Sequence, residues 1–248
     1  MNAFADAFAW IGDPAHWTGP DGIPTRVIEH LGYSGLTVFI AVLLAVPLGL
    51  YIGHTGRFRG VSIGATSALR ALPTLGLLTF LAIAFPFGIR LALIPTVIVL
   101  VLLAIPPLLA GAYSGIESVD PRTVDAARSM GMTEWQILRK VEIPLALPLI
   151  IGGIRSAVLQ VVATATVAAY ISLGGLGRYI IDALPVRDYT KVLVGALLVT
   201  LLALVLEAIL ILIQRLTVPA GVRAIRAKAP LRTPRKSPHI ATASSQTG

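Results

Sequence analysis

The chain has 248 residues, of which 56% are hydrophobic and 13% charged, where a soluble domain carries about a quarter charged residues. A mean hydropathy of +0.84 makes lipid the main solvent and leaves no length for a large soluble domain besides the apolar runs. The formal net charge is +8, and there is no cysteine, which excludes disulfides, thiolate metal sites and iron–sulfur clusters.

The chain opens with an apolar, aromatic stretch, Phe4–Ile11, interrupted by Asp6. It is too short to span a bilayer and suits a helix lying at the interface. The first basic residue after the start is Arg26, so the basic n-region of a secretory signal is not expected. Residues 1–30 are therefore assigned to an extracytoplasmic N-terminal segment.

Five apolar runs follow, each long enough to cross about 30 Å of hydrocarbon at about 1.5 Å per helical residue. They are Leu31–Gly53, Val61–Phe85, Ile89–Tyr113, Leu145–Ile171 and Thr190–Leu216. A helix satisfies its own backbone, so the expected fold is an all-α bundle of about five transmembrane helices over residues 31–217. Arg57, Arg59, Arg122, Arg128, Arg139, Lys140 and the basic residues from Arg215 onward fall on one side of such a bundle. The positive-inside rule makes that side cytoplasmic, with the amino terminus outside and the carboxyl terminus inside. Residues 218–248 read as a basic, disordered cytoplasmic tail suited to anionic lipid.

Within the runs the charges are few. Arg70 lies roughly ten residues into the second run, near mid-membrane, with Pro73 and Thr74 beyond it, where the proline interrupts the helix. Arg155 and Glu207 fall at comparable depths in the fourth and fifth runs, which predicts an ion pair. Gln160, Thr164 and Thr166 form a modest polar patch on the fourth run, although helical threonines often bond their own backbone. Arg70, Pro73, Thr74, Arg155, Gln160, Thr164 and Glu207 are the candidates for a pathway or a subunit interface. For Arg70, a structural arginine held by the carbonyls of a broken helix is the competing reading.

The connection between the third and fourth runs carries the strongest local signals. Asp120 is an N-cap and Pro121 a first helical residue; Gly131 suits the position just past a helix end, giving a short helix over Pro121–Met130. Thr133 and Gln136 form a capping box, with Met132 and Ile137 spaced as its hydrophobic staple, for a second helix running to about Glu142 before Pro144 leads into the fourth run. The first helix is expected to expose Ala126 and Ala127 between the charges Asp125 and Arg128, a surface that lets a partner approach closely. A hairpin that merely joins two spans fits these caps equally well.

Asp125-Ala126-Ala127, then Gly131, then Val141-Glu142-Ile143-Pro144 resembles the EAA motif of type I ABC importer permeases, written EAA, three residues, G, nine residues, I-x-L-P. Every spacing is kept, with Asp for Glu, Val for Ile and Ile for Leu. The resemblance implies the ABC type I transmembrane domain with a cytoplasmic coupling helix that docks on a separate ATPase. Asp125, Ala126, Ala127, Arg128, Gly131, Val141, Ile143 and Pro144 would be the coupling residues. Two further stretches, Asp13-Pro14 with Trp17 through Pro24 and Glu29-His30-Leu31, and Arg70 through Leu75, are similar to permeases for osmoprotectants such as glycine betaine, choline and carnitine.

The chain has no phosphate-binding glycine loop, and its lysines Lys140, Lys191, Lys228 and Lys236 sit in none. No catalytic constellation is visible, and His16, His30, His54 and His239 lack metal-site spacing and read as structural. The resemblance thus places ATP and magnesium on a partner ATPase pair, with none on this chain. It also implies a second permease copy or homologue, an extracytoplasmic binding protein and membrane lipid as partners, and no nucleic acid, in the plasma (inner) membrane of a prokaryote. Aromatic residues are only 6% of the chain, too sparse for a cage around a quaternary ammonium, which shifts solute recognition to the binding protein. At this stage an importer for an amino acid, an anion or a metal stays open. An ATP-independent channel or secondary transporter is disfavoured, because Glu207 is the one acid inside the runs, and a scaffold would not need the jointed helices.

Overall fold

A computed structural model describes residues 3–85 and 91–217. The basic tail, with His239, and Arg90 at the start of the expected third span lie outside them. Among the described residues all regular structure is helical. Helix α1 covers Ala3–Gly12, α2 Ile23–Thr55, α3 Arg59–Ala71, α4 Thr74–Ala84, α5 Leu93–Glu117, α6 Pro121–Ser129 and α7 Glu134–Ile137. Helix α8 covers Ile143–Thr164, α9 Gly177–Ile181 and α10 Tyr189–Thr217. Among the described residues four helices are long and apolar enough to span a membrane, five if α3 and α4 together make one span.

The three central helices α2, α5 and α8 pack on small residues. Ala41, Ala45, Gly49 and Gly53 recur every fourth position along one stripe of α2. That stripe meets α5, where a Cβ on Gly49 would lie 2.6 Å from the Ala112 methyl and one on Gly53 2.9 Å from the Tyr113 carbonyl. On the other side of α5, Gly111 faces Gly153 of α8 so closely that a Cβ on Gly153 would come 2.7 Å from the Pro107 carbonyl oxygen. In lipid there is no hydrophobic drive to pair helices, so close backbone approach through small residues supplies the attraction by dispersion. Ala41, Ala45, Ala104, Leu108, Ala157 and Val161 form the centre of this core. A second cluster joins α1, α9 and α10 through Ala7, Leu176, Tyr179 and Val194. A helix is thus present over the apolar opening stretch, docked on α10 by Ala7 with Phe4 and Phe8 exposed.

The interruption expected at Pro73 in the second run is present: α3 and α4 meet at an 83° bend. Pro73 offers no N–H, and the residue before it, Leu72, takes extended angles (φ −69°, ψ 128°), as steric conflict with a following proline demands. One expectation about the spans is corrected: no new element begins at Pro144. A continuous helix runs over Glu134–Ile171, with a π turn at Leu138–Glu142 in which the Ile143 N–H reaches back to the Leu138 carbonyl. The wider turn accommodates a proline that cannot bond its own i−4 carbonyl. Beyond Thr164 the rod tightens into a 3-10 segment, Ala165–Ile171.

Candidate functional site

The hairpin of α6 and α7 is built as its caps require. The Asp120 carboxylate accepts from the Arg122 N–H at 2.9 Å. Gly131 has φ +82°, and the Gly131 and Met132 N–H groups return to the Arg128 and Ala127 carbonyls, a complete Schellman motif. Thr133 and Gln136 close the capping box in both directions, and Ile137 is buried. One expectation fails: Ala126 is exposed, but Ala127 is 3% exposed. Neighbouring helical residues point about 100° apart, so only one alanine can face outward while the other lets α6 lie close to the rod. Val141, Ile143 and Pro144 are half-buried at the rod's base.

Arg128 bridges the two arms of the hairpin. Its Nε and Nη2 donate to the two oxygens of Glu134 at 2.8 and 3.0 Å, and its Nη1 to Asp125 at 3.1 Å. The fork geometry matches a carboxylate, and that bond to Glu134 is the main reason Arg128 titrates above an ordinary arginine.

Two residues of this region had no sequence-level signal. His54, in the last turn of α2, donates from Nδ1 to Glu142 Oε2 at 2.5 Å, and its Nε2 lies 3.5 Å from Glu134. A carboxylate only accepts, so Nδ1 carries the proton in this bond. Glu142, on the π turn, is 5% exposed. The partners are 88 positions apart, and the position of Glu142 in the motif is one that the motif leaves unspecified. Arg59 and Glu117 add a more open pair at 3.1 Å between the start of α3 and the end of α5.

Within the spans, the structure brings Arg155 and Glu207 together, Nε to Oε1 at 3.0 Å, with the side chains 35% and 23% exposed. Gln214 completes the group, accepting from Arg155 and donating to the Pro148 carbonyl, both at 3.2 Å. The second oxygen of Glu207 is buried without a partner. Glu207 borders a groove of about 380 Å³ between α8 and α10, lined also by Leu159, Ala163, Val199, Thr200, Ala203 and Leu204. Reversing either charge alone, Arg155→Glu or Glu207→Arg, is expected to lower membrane-inserted protein and uptake about tenfold or more, because an unpaired charge at a helix centre costs at least ~2.5 kcal/mol. The double reversal should recover part of the loss, and only part, since Gln214 Oε1, which accepts from Arg155, would then face a carboxylate. Immunoblotting of membranes alongside uptake checks both statements.

The remaining candidates are scattered. Arg70 is exposed in the last turn of α3, one turn before the break, and Pro73 is exposed beside it, with Thr74 half-buried. The 83° bend between α3 and α4 lies just beyond Arg70. Among the described residues Arg70 forms no ion pair, so the carbonyl-satisfied reading gains no hydrogen bond in its favour. Gln160 and Thr164 are half-buried on α8, and the Thr166 hydroxyl donates to its own helix at the Ala163 carbonyl.

At the opposite end of the bundle, the segment from Asp13 to Leu31 forms a clasp. Arg26 pairs with Asp21 and Glu29, and Glu29 accepts from the Gly175 N–H at 2.7 Å. His30 donates from Nε2 to the Val162 carbonyl at 3.0 Å, leaving Nδ1 to accept from the Tyr33 hydroxyl at 2.9 Å. His16 stacks on Trp10. No group of three metal-ligating side chains occurs among the described residues.

Comparison with known proteins agrees with this architecture. The family model described as "Binding-protein-dependent transport system inner membrane component" matches residues 45–220. The glycine betaine/carnitine/choline transport system permease protein OpuCB of Bacillus subtilis (strain 168) is 32% identical over 80% of this chain and 89% of its own length. The carnitine transport permease protein OpuCB of Listeria monocytogenes is 35% identical over 80% and 89%, and the osmoprotectant import permease protein OsmW of Salmonella typhimurium 34% identical over 81% and 94%. The inward-facing MetNI methionine ABC transporter shares the fold, with a TM-score of 0.69 and 20% identity over 84% of this chain and 100% of that one. The capped hairpin, the small-residue bundle and these matches together show that the chain belongs to the inner membrane component family of binding-protein-dependent transport systems, the integral membrane permeases of ABC importers.

Proposed function

We propose that this permease forms the passage for an osmoprotectant of the quaternary-amine class, such as glycine betaine, choline or carnitine. The observation that carries the cargo is the 32–35% identity, over about four-fifths of the chain, to permeases named for these solutes. The groove beside Glu207 has no aromatic residue in its lining, which fits a passage that binds weakly and receives its solute from an extracytoplasmic binding protein.

In this reading a pair of ATPase subunits, holding ATP and magnesium, docks on α6 through the exposed Asp125, Ala126 and Arg128. Two permeases, identical or homologous, face each other, and alternating access follows from motion of the hairpin transmitted into α8. The hairpin lies in the cytoplasm and the clasp outside, as the lysine and arginine bias dictates. Copurification with an ATPase, followed by uptake of radiolabelled glycine betaine, choline and carnitine into vesicles loaded with ATP, tests the reading. At least one solute should accumulate only with ATP, the ATPase and the binding protein present. Uptake at full rate without the ATPase overturns it.

A further inference from the structure

We propose that His54 and Glu142 are positioning residues that pin the end of α2 to the coupling hairpin, so that a stroke delivered to α6 moves α2 together with α8. This rests on the hairpin being the ATPase handle.

The covalent chain gives α2 no such connection. The hairpin joins α5 to α8, whereas α2 ends at Thr55 and leads through Gly56 into α3. Beside apolar packing of Val46 and Leu50 against the cluster that holds Leu138, its polar contact there is made by His54, which sits between two carboxylates from different parts of the rod: Glu142 on the π turn and Glu134 at the start of α7. Glu134 is held in turn by Arg128, and Arg128 by Asp125. A continuous line of polar contacts therefore runs from the motif acid Asp125 on the exposed face of α6, through Arg128 and Glu134, to the imidazole of α2 and on to Glu142 of the rod.

Burial distinguishes the inner end of this line from an ordinary surface network. Asp125, Arg128 and Glu134 are exposed, so their ion pairs add little to stability. The Glu142 carboxylate is 5% exposed and the His54 side chain 15%, so breaking their bond strands a buried acceptor. The pin also has a counterpart. At the far end of the same helix pair, His30 of α2 donates to the Val162 carbonyl of α8. One helix is thus fastened to the rod at both ends by histidines, and the one near the hairpin is fastened to the turn that carries the force.

The experiment uses the assembled importer and the absence of cysteine from this chain. Spin labels at Thr55→Cys on α2 and Ser129→Cys on α6, both exposed positions, report whether the two elements move as one. With His54 present, the label separation should be unchanged between nucleotide-free and ATP-bound states. With His54→Leu it should shift or broaden on ATP binding, and solute moved per ATP should fall about tenfold, the scale of one charge-assisted hydrogen bond. His54→Asn, whose amide N–H can stand where Nδ1 does, should restore both readouts. The proposal is overturned if the separation changes with nucleotide while His54 is present, if His54→Leu leaves both readouts as in the parent, or if His54→Asn behaves like His54→Leu. Gly131→Val in the same labelled background separates the two ideas: if it stays coupled, the handle itself is wrong, and if it uncouples while His54→Leu does not, only the pin is wrong.

Discussion

An importer carrying Gly131→Val is expected to hydrolyse ATP while moving little solute. Gly131 sits at φ +82° between two helices whose relative direction it sets. A β-branched residue there meets no neighbour, because nothing lies within 4 Å of the would-be Cβ, so the cost is confined to the backbone. An L-residue in the left-handed region loses roughly 1–2 kcal/mol, and a β-branched one more. The hairpin relieves that strain by abandoning the Schellman bonds from Gly131 and Met132, which leaves α6 free to take other angles against the rod. The spans, packed elsewhere, keep their fold. The same argument orders a series. Gly131→Asn, tolerated in this conformation, should stay near the parent, Gly131→Ala should fall between, and Gly131→Val should lose about tenfold or more in solute moved per ATP, one decade being about 1.4 kcal/mol. A flat series would mean that the joint angle has no part in coupling.

The second large effect concerns Gly153, and it removes the protein rather than its coupling. A methyl on Gly153 would lie 2.7 Å from the Pro107 carbonyl oxygen and 2.9 Å from the Gly111 Cα. All of these atoms are backbone, so no side chain can swing aside and the two helices must separate. Overpacking of this kind costs about 1–3 kcal/mol, and more where nothing relaxes, against a total stability of roughly 5–15 kcal/mol. Gly153→Ala should therefore lower the unfolding temperature in detergent and cut the yield of folded permease, and Gly153→Val should abolish it. The adjacent Gly152 is the control: nothing lies within 4 Å of its would-be Cβ, so Gly152→Ala should be neutral or slightly stabilising through helix propensity. Equal behaviour of the two alanine variants would contradict the packing described here.

Local signals were the legible ones. The caps at Asp120, Thr133 and Gly131 act within four residues, so spacing alone located the hairpin. Arg155 and Glu207 were matched by counting depth along two straight helices, and their helices are straight enough for the count to hold. For Arg70 the count met no partner at matching depth, and a proline three residues later turns the chain through 83°. Pro144 looked like a boundary because proline favours a first turn, yet the surplus residue of the π turn carries the helix through it. The burial of Ala127 and the meeting of His54 with Glu142 depend on where distant helices lie, which no short-range pattern encodes. The matched spacing of Ala41, Ala45, Gly49 and Gly53 was present in the sequence, but only the close approach of Ala112, Tyr113 and Ile116 of α5 gives it meaning.

That small-residue core has a mechanical corollary. Leucine or methionine between helices can re-sort among rotamers when the helices slide, and so lubricate a shift from one packing to another. Alanine and glycine have no rotamers to exchange. Any slip at the contacts of Gly49, Gly53, Gly111 and Gly153 would drive methyl groups into backbone or open voids, so the trio resists sliding at mid-bundle and relative motion is left to the helix ends, to the proline corner at Leu72–Pro73 and to the tightened stretch after Thr164.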